Sequence, residues 1–219
     1  MRHPPALDWG DLEHSLAQRT PVPLVALVLA GANVIAYLVL GGGPASAALE
    51  SAARTWGADR SLLAGEWWRA LTSAFVHANL WHLGVNVVLL AAFGARTERA
   101  YGSAAFALLY LASASAASLA GVWSAPAAVC IGASGAVFGS IGALLPYYVF
   151  AGRGHGLPAR RMDAGFLSLI LIGGMLAGLA DPRIGHGAHL GGLVCGVALG
   201  AALGGGHPWY RREPLPGEI

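Results

Sequence analysis

The chain has 219 residues, of which 56% are hydrophobic and 11% charged, and its mean hydropathy is +0.59. That balance is too apolar for an ordinary soluble domain. The formal charge of +2 is too small to argue for a nucleic-acid partner. There is no lysine, and in a chain this rich in Ala and Gly that points to a GC-rich, bacterial coding bias.

A bilayer core requires roughly 20 apolar residues per helix. Six windows approach that: Leu24–Leu40, Leu80–Ala95, Ala104–Val122, Ser134–Phe150, Ala164–Ala180 and Gly187–Gly204. The expected fold is therefore all-α, a polytopic transmembrane bundle of six helices over residues 23–205, with short flanks at 1–22 and 206–219. "PASA" (Pro44 to Ala47) resembles a signal-peptide cleavage site. The apolar run before it exceeds the roughly 7–15 residues of such a signal, and Asp8, Asp11 and Glu13 precede it, so it reads as a retained helix.

Residues 41–76 read as a long loop whose tryptophans suit an interfacial aromatic belt. Pro126 and Gly132 disfavour helix in "SAPAAVCIGA" (Ser124 to Ala133), which is expected to dip into the bundle as irregular backbone. Such backbone is tolerated at membrane depth only when covered by protein or lining a wet cavity. Cys130 and Cys195 form neither a CxxC nor a zinc pattern and read as small buried hydrophobes. No metal or other cofactor is expected.

Arginine placement orients the bundle. With the N-terminus inside, Arg2, Arg19, Arg96, Arg99, Arg153, Arg160, Arg161, Arg211 and Arg212 fall on the cytoplasmic side. Arg54, Arg60, Arg69 and Arg183 fall outside, so the positive-inside rule puts both termini in the cytoplasm. The second, fourth and sixth windows then start at the outer side, and each carries its polar residues near that start. They are His82 and Asn86, four apart and on one helical face; Ser134; and His186 with His189.

Singly, each has a plain structural reading as packing residue, interhelical glue or interfacial group. Their shared depth favours a functional constellation, since polar side chains inside a membrane face the bundle interior and mark function. Glycines at 192, 196, 200 and 204 face a similar series, Gly135, Gly139 and Ala143, in the fourth window. Small-xxx-small faces let helices approach closely in lipid, which would bring the serine to a histidine. A serine hydroxyl becomes a nucleophile once a base takes its proton, and histidine suits that task near neutral pH. Helix-start N–H groups at Ser134 would stabilise a developing oxyanion. These residues alone leave His186 and His189 as alternative bases, and leave a proton relay or transporter as a rival. A non-catalytic client-binding protein is a second rival, and both differ from the enzyme in tolerating Ser134→Ala. A metalloprotease is disfavoured by the lack of HExxH.

Taken in order, "HANLWHLGVN" (His77 to Asn86), "GASG" (Gly132 to Gly135) and "GAHLGG" (Gly187 to Gly192) resemble the rhomboid family of intramembrane serine proteases, across about residues 66–200. The resemblance implies Ser134 as nucleophile and His189, rather than His186, as general base. It implies that His82, Asn86 and the Ser134 N–H stabilise the oxyanion. His77, Gly132 and Phe138 become supporting residues, with Phe138, one turn after Ser134, placed to pack against the His189 ring. Trp68 and Arg69 match the family's first-loop WR motif, and Gly94, Glu98 and Gly102 its GxxxExxxG. The implied partners are transmembrane protein substrates and the lipid bilayer of a bacterial inner membrane. The fifth window, with Gly173, Gly174 and Gly178, is the expected side of lateral substrate entry, between itself and the second window.

Overall fold

The computed structural model describes residues 22–41, 47–151 and 185–204, together with Gly173. Apart from Gly173 and Val22, the fifth window, the connector before it and both terminal flanks lie outside the described residues. Within them the chain is helical, and we label α1 (Leu24–Val39), α2 (Ala47–Trp56), α3 (Leu80–Tyr101), α4 (Ser103–Ser124), α5 (Ser134–Ala151) and α6 (His186–Gly204). Three helices are long and apolar enough to cross a membrane, Leu80–Tyr101, Ser103–Ser124 and His186–Leu203, and two shorter apolar ones accompany them, Leu24–Val39 and Ser134–Tyr147.

Two boundaries differ from those expected. α3 does not stop at Ala95 but passes through a π-helical turn, Leu90–Gly94, and continues to Tyr101. Hydropathy ended the window early because Arg96, Glu98 and Arg99 follow it. Glu98 is nonetheless fully buried, because its carboxylate accepts the Val25 N–H at 3.1 Å, the Ala26 N–H at 2.8 Å and the Ser103 hydroxyl at 2.6 Å. It thereby caps α1 from another helix, where Pro23 provides no side-chain cap, and its negative charge meets the positive end of the α1 dipole.

Residues 41–76, expected as a loop, carry α2 and three short helical turns, Arg60–Leu62, Arg69–Thr72 and Ser73–Phe75. These pieces are too short to register in a search for spans. Arg69 ties them together: its buried guanidinium donates to the carbonyls of Arg54 at 2.6 Å and Gly57 at 2.9 Å. It also pairs with Glu66 and stands 3.8 Å from Asp59. Trp56, Trp67, Trp68, Trp81 and Trp123 are all exposed, as interfacial tryptophans are.

The small-residue faces meet, with more partners than expected. A side chain added at Gly192 or Gly196 would run into the Gly135 or Gly139 carbonyl, and one at Gly200 into Ala143. α6 is therefore seated directly on the α5 backbone. Its other glycines, Gly187 and Gly191, stand against Ser124 and Ala120 of α4. Gly135 and Gly139 in turn leave room for Ala117 and Ser113 of α4. Three helices thus pack backbone to backbone, and the stabilisation is close van der Waals contact rather than burial of large side chains. Bulkier residues fill the rest of the core, chiefly Leu90, Phe93, Phe106, Leu109, Tyr110, Ile141 and Leu144.

Candidate active site

The stretch before α5 decides where Ser134 stands. Contrary to the expectation that all of Ser124 to Ala133 dips inward, Pro126, Ala127 and Val129 remain exposed. This part stays outside the packed core, and the Ala128 N–H turns back to the Ala125 carbonyl at 2.9 Å. Inward passage begins at Cys130, which pairs with Ala58 through two backbone bonds of 2.9 and 2.8 Å. Gly132 continues it, donating its N–H to the Ser73 carbonyl at 2.9 Å. Ser73 is held in turn by a 2.9 Å bond between its hydroxyl and that of Ser118 on α4. The first loop and α4 together therefore aim the chain that leads into Ser134.

Gly132 has φ +105, a backbone conformation that side-chain-bearing residues rarely adopt. A Cβ there would also lie 2.6 Å from both Cε1 and Nε2 of His82. The His82 ring consequently rests against the backbone two residues before Ser134. His82 enters α3 through the cap formed by Asn79, whose Oδ1 accepts the His82 N–H at 2.8 Å. His77 lies beside it, with ring centroids 5.1 Å apart, and its Nε2 accepts the Ala133 N–H at 3.4 Å. Burial, with the neighbouring His82 adding to it, pushes the His77 imidazole down to about 4, against a smaller opposing effect of the Phe75 backbone. His77 is thus neutral near pH 7, as an accepting ring nitrogen must be.

Ser134 opens α5, and the Ala133 carbonyl accepts the Val137 N–H at 3.0 Å. The first N–H groups of such a helix have no carbonyl within it to meet. Across the glycine-packed contact, Ser134 Oγ lies 2.9 Å from His189 Nε2. The imidazole of His189 is buried and stacks on Phe138, with ring centroids 4.3 Å apart and planes 6° from parallel. Its Nδ1 is buried and meets no hydrogen-bond partner among the described residues. With the ring proton on Nδ1, the Ser134 hydroxyl donates to Nε2, the geometry in which an imidazole can accept a serine proton.

The other expected residues are placed as follows. Asn86 is buried one turn below His82, and its Nδ2 donates to the His82 carbonyl at 2.9 Å. Trp68 and Glu98 stand away from this cluster, in the first loop and at the α1 start, and Arg69 organises the first loop. Sequence reasoning missed Ser73 and Ser118, which hold the Gly132 backbone. Their only signal was a pair of hydroxyls in otherwise apolar runs, which sequence alone does not pair.

Comparison with known proteins bears on the family of the chain. The Rhomboid domain profile matches residues 64–206. Rhomboid protease GluP of Bacillus subtilis (strain 168) is 40% identical over 147 residues, 67% of this chain and 28% of that protein. RHOMBOID-like protein 7 of Arabidopsis thaliana is 31% identical over 184 residues, 81% of this chain and 56% of that one. Rhomboid-like protease 1 of Toxoplasma gondii is 37% identical over 142 residues, 62% of this chain and 47% of that one. The chain thus spans between about a quarter and somewhat over half the length of these relatives. Apolar helices, the order of the motifs and the family match lead to one assignment: this multi-pass membrane protein belongs to the rhomboid family.

Proposed function

We propose that the chain is a serine-type intramembrane endopeptidase with Ser134 as nucleophile and His189 as general base. The observation that carries the reading is the 2.9 Å contact between Ser134 Oγ and His189 Nε2, with the imidazole held flat against Phe138. Ser134 Oγ attacks the scissile carbonyl carbon while its proton passes to Nε2, giving a tetrahedral oxyanion. Collapse expels the amine, which takes the proton from Nε2, and leaves an ester on Ser134. Water, deprotonated by Nε2, hydrolyses that ester and restores the serine. The Ser134 N–H and the side chains of His82 and Asn86 are assigned to the oxyanion. One Nδ2–H of Asn86 bonds its own helix at the His82 carbonyl, which leaves the second for the oxyanion.

The bundle is read as six spans in a bacterial inner membrane, both termini cytoplasmic and the site reached from the outer side. A helical substrate hides its carbonyls in bonds one turn apart. The substrates are therefore transmembrane segments that unwind readily near their outer end, cut after a small residue and entering between α3 and the fifth window. A fluorophosphonate probe, which esterifies an activated serine, tests the pair without any choice of substrate. Labelling mapped to Ser134, lost in His189→Ala and indifferent to chelator, is the expected result. A folded protein that labels equally with His189→Ala contradicts the assigned base.

A further inference from the structure

The inner half of α3 contributes two buried hydroxyls that no step above uses. Tyr101 Oη lies 2.7 Å from the Ala143 carbonyl of α5 and 3.2 Å from the Gly200 carbonyl of α6. Thr97 Oγ1, one turn earlier, lies 3.0 Å from the Ser140 carbonyl of α5 and 2.8 Å from that of Phe93. α5 and α6 are the helices whose first turns carry Ser134 and His189. Gly200 completes the picture, since a Cβ there would stand 3.0 Å from Tyr101 Oη as well as 2.7 Å from the Ala143 Cα. The last contact of the glycine seam is thus open to a third helix, and the phenol occupies the opening.

Both acceptors are helix carbonyls, so the phenol is a second partner that ties two helices rather than a remedy for an orphaned group. Beside this tie α5 lacks one of its own bonds, because Pro146 has no N–H to offer the Gly142 carbonyl one turn back. Ser134 lies nine residues from Ala143, about 13 Å along the helix at 1.5 Å per residue. A change of about 5° in the crossing of α5 and α6, pivoting at Ala143, moves Ser134 by about 1 Å, a displacement worth up to roughly 100-fold in rate.

We propose that Tyr101 is a positioning residue: its hydroxyl, with Thr97 beside it, clasps the middle of α5 to the inner end of α6 and thereby sets the alignment of Ser134 with His189. This rests on the reading of that pair as catalytic. Tyr101→Phe keeps the ring, which lies 5.8 Å from Tyr147, and removes only the hydroxyl. In liposomes it should lower kcat about five- to tenfold with KM within about twofold. It should slow fluorophosphonate labelling of Ser134 by the same factor and shift the midpoint of the labelling pH profile, which reports on His189. Thr97→Val should do the same more weakly, and it carries the test if the first variant fails to fold. Wild-type kcat, labelling rate and pH profile in a folded variant overturn the proposal. So does an activity loss that equals the fraction unfolded. If wild type itself takes no label at Ser134, the catalytic reading fails and this inference falls with it; label on wild type with no change in the variants sinks the clasp alone.

Discussion

Gly132 shows what a single residue contributes. Its positive φ disfavours any side chain, and a Cβ would stand 2.6 Å from two His82 ring atoms, so one fits only if His82 shifts. Gly132→Ala should therefore push His82 off the backbone leading to Ser134. Left-handed backbone costs an alanine about 1–2 kcal/mol before any clash is counted. Cleavage should fall by more than about tenfold, the equivalent of some 1.4 kcal/mol in the barrier, while the melting temperature drops only a few degrees. Wild-type cleavage by this variant would show that the close approach is dispensable. The glycine's role in letting the backbone come close was legible from its neighbours in "GASG". That the group it approaches is His82, fifty residues earlier, was not. The stacking of Phe138 on His189 was readable, because one helical turn separates Phe138 from Ser134 and the glycine seam brings α6 to that turn.

Elements were legible where one physical signal dominated. α1, α4, α5 and α6 begin and end within a few residues of their hydropathy windows, since a span must be long and apolar. The first loop was opaque for the opposite reason: its turns are short and its order comes from Arg69, whose partners lie 12 and 15 residues away. A lysine cannot reproduce that fork of donors. Arg69→Ala leaves the Arg54 and Gly57 carbonyls without their donor, a loss of about 1–3 kcal/mol for a buried acceptor, whereas Glu66 and Asp59 are partly exposed and Asp59 keeps the Ser61 N–H. The expected outcome is faster proteolysis within residues 47–68 and a lower melting temperature, with Arg69→Lys intermediate. An unchanged cleavage pattern would mean that the loop is held by other contacts. Along the α5–α6 seam, Gly196→Val should separate the helices, because the added side chain meets the Gly139 carbonyl. Fluorophosphonate labelling of Ser134 should then fall with stability.

At the scale of the molecule, the bundle keeps a neutral imidazole buried where acid would charge it. His77 has an ordinary value near 6.5 when unfolded and about 4 in the fold, so between these two the unfolded chain binds more protons. Stability is therefore fully present above about pH 6.5 and is lost as pH falls toward 4. At pH 5 the loss from this group is about 2 kcal/mol. Melting followed from pH 7.5 to pH 5 should show a decline that His77→Asn partly flattens. A variant that melts with the same pH slope as wild type would remove His77 from the account. Burial of polar groups by tertiary contact, at His77 as at Glu98, was the part of the fold that hydropathy could not display. A window average counts a carboxylate as exposed whether or not a helix start is waiting for it.

Hydrolysis is proposed to proceed through Ser134 assisted by His189. Its most direct measurement is cleavage of a transmembrane substrate by protein in liposomes, with Ser134→Ala and His189→Ala beside wild type and a chelator control. The expected result is a loss of at least about 1,000-fold in both variants, nearly equal because the two residues act as a unit, and no effect of chelator. Cleavage that persists in Ser134→Ala contradicts it.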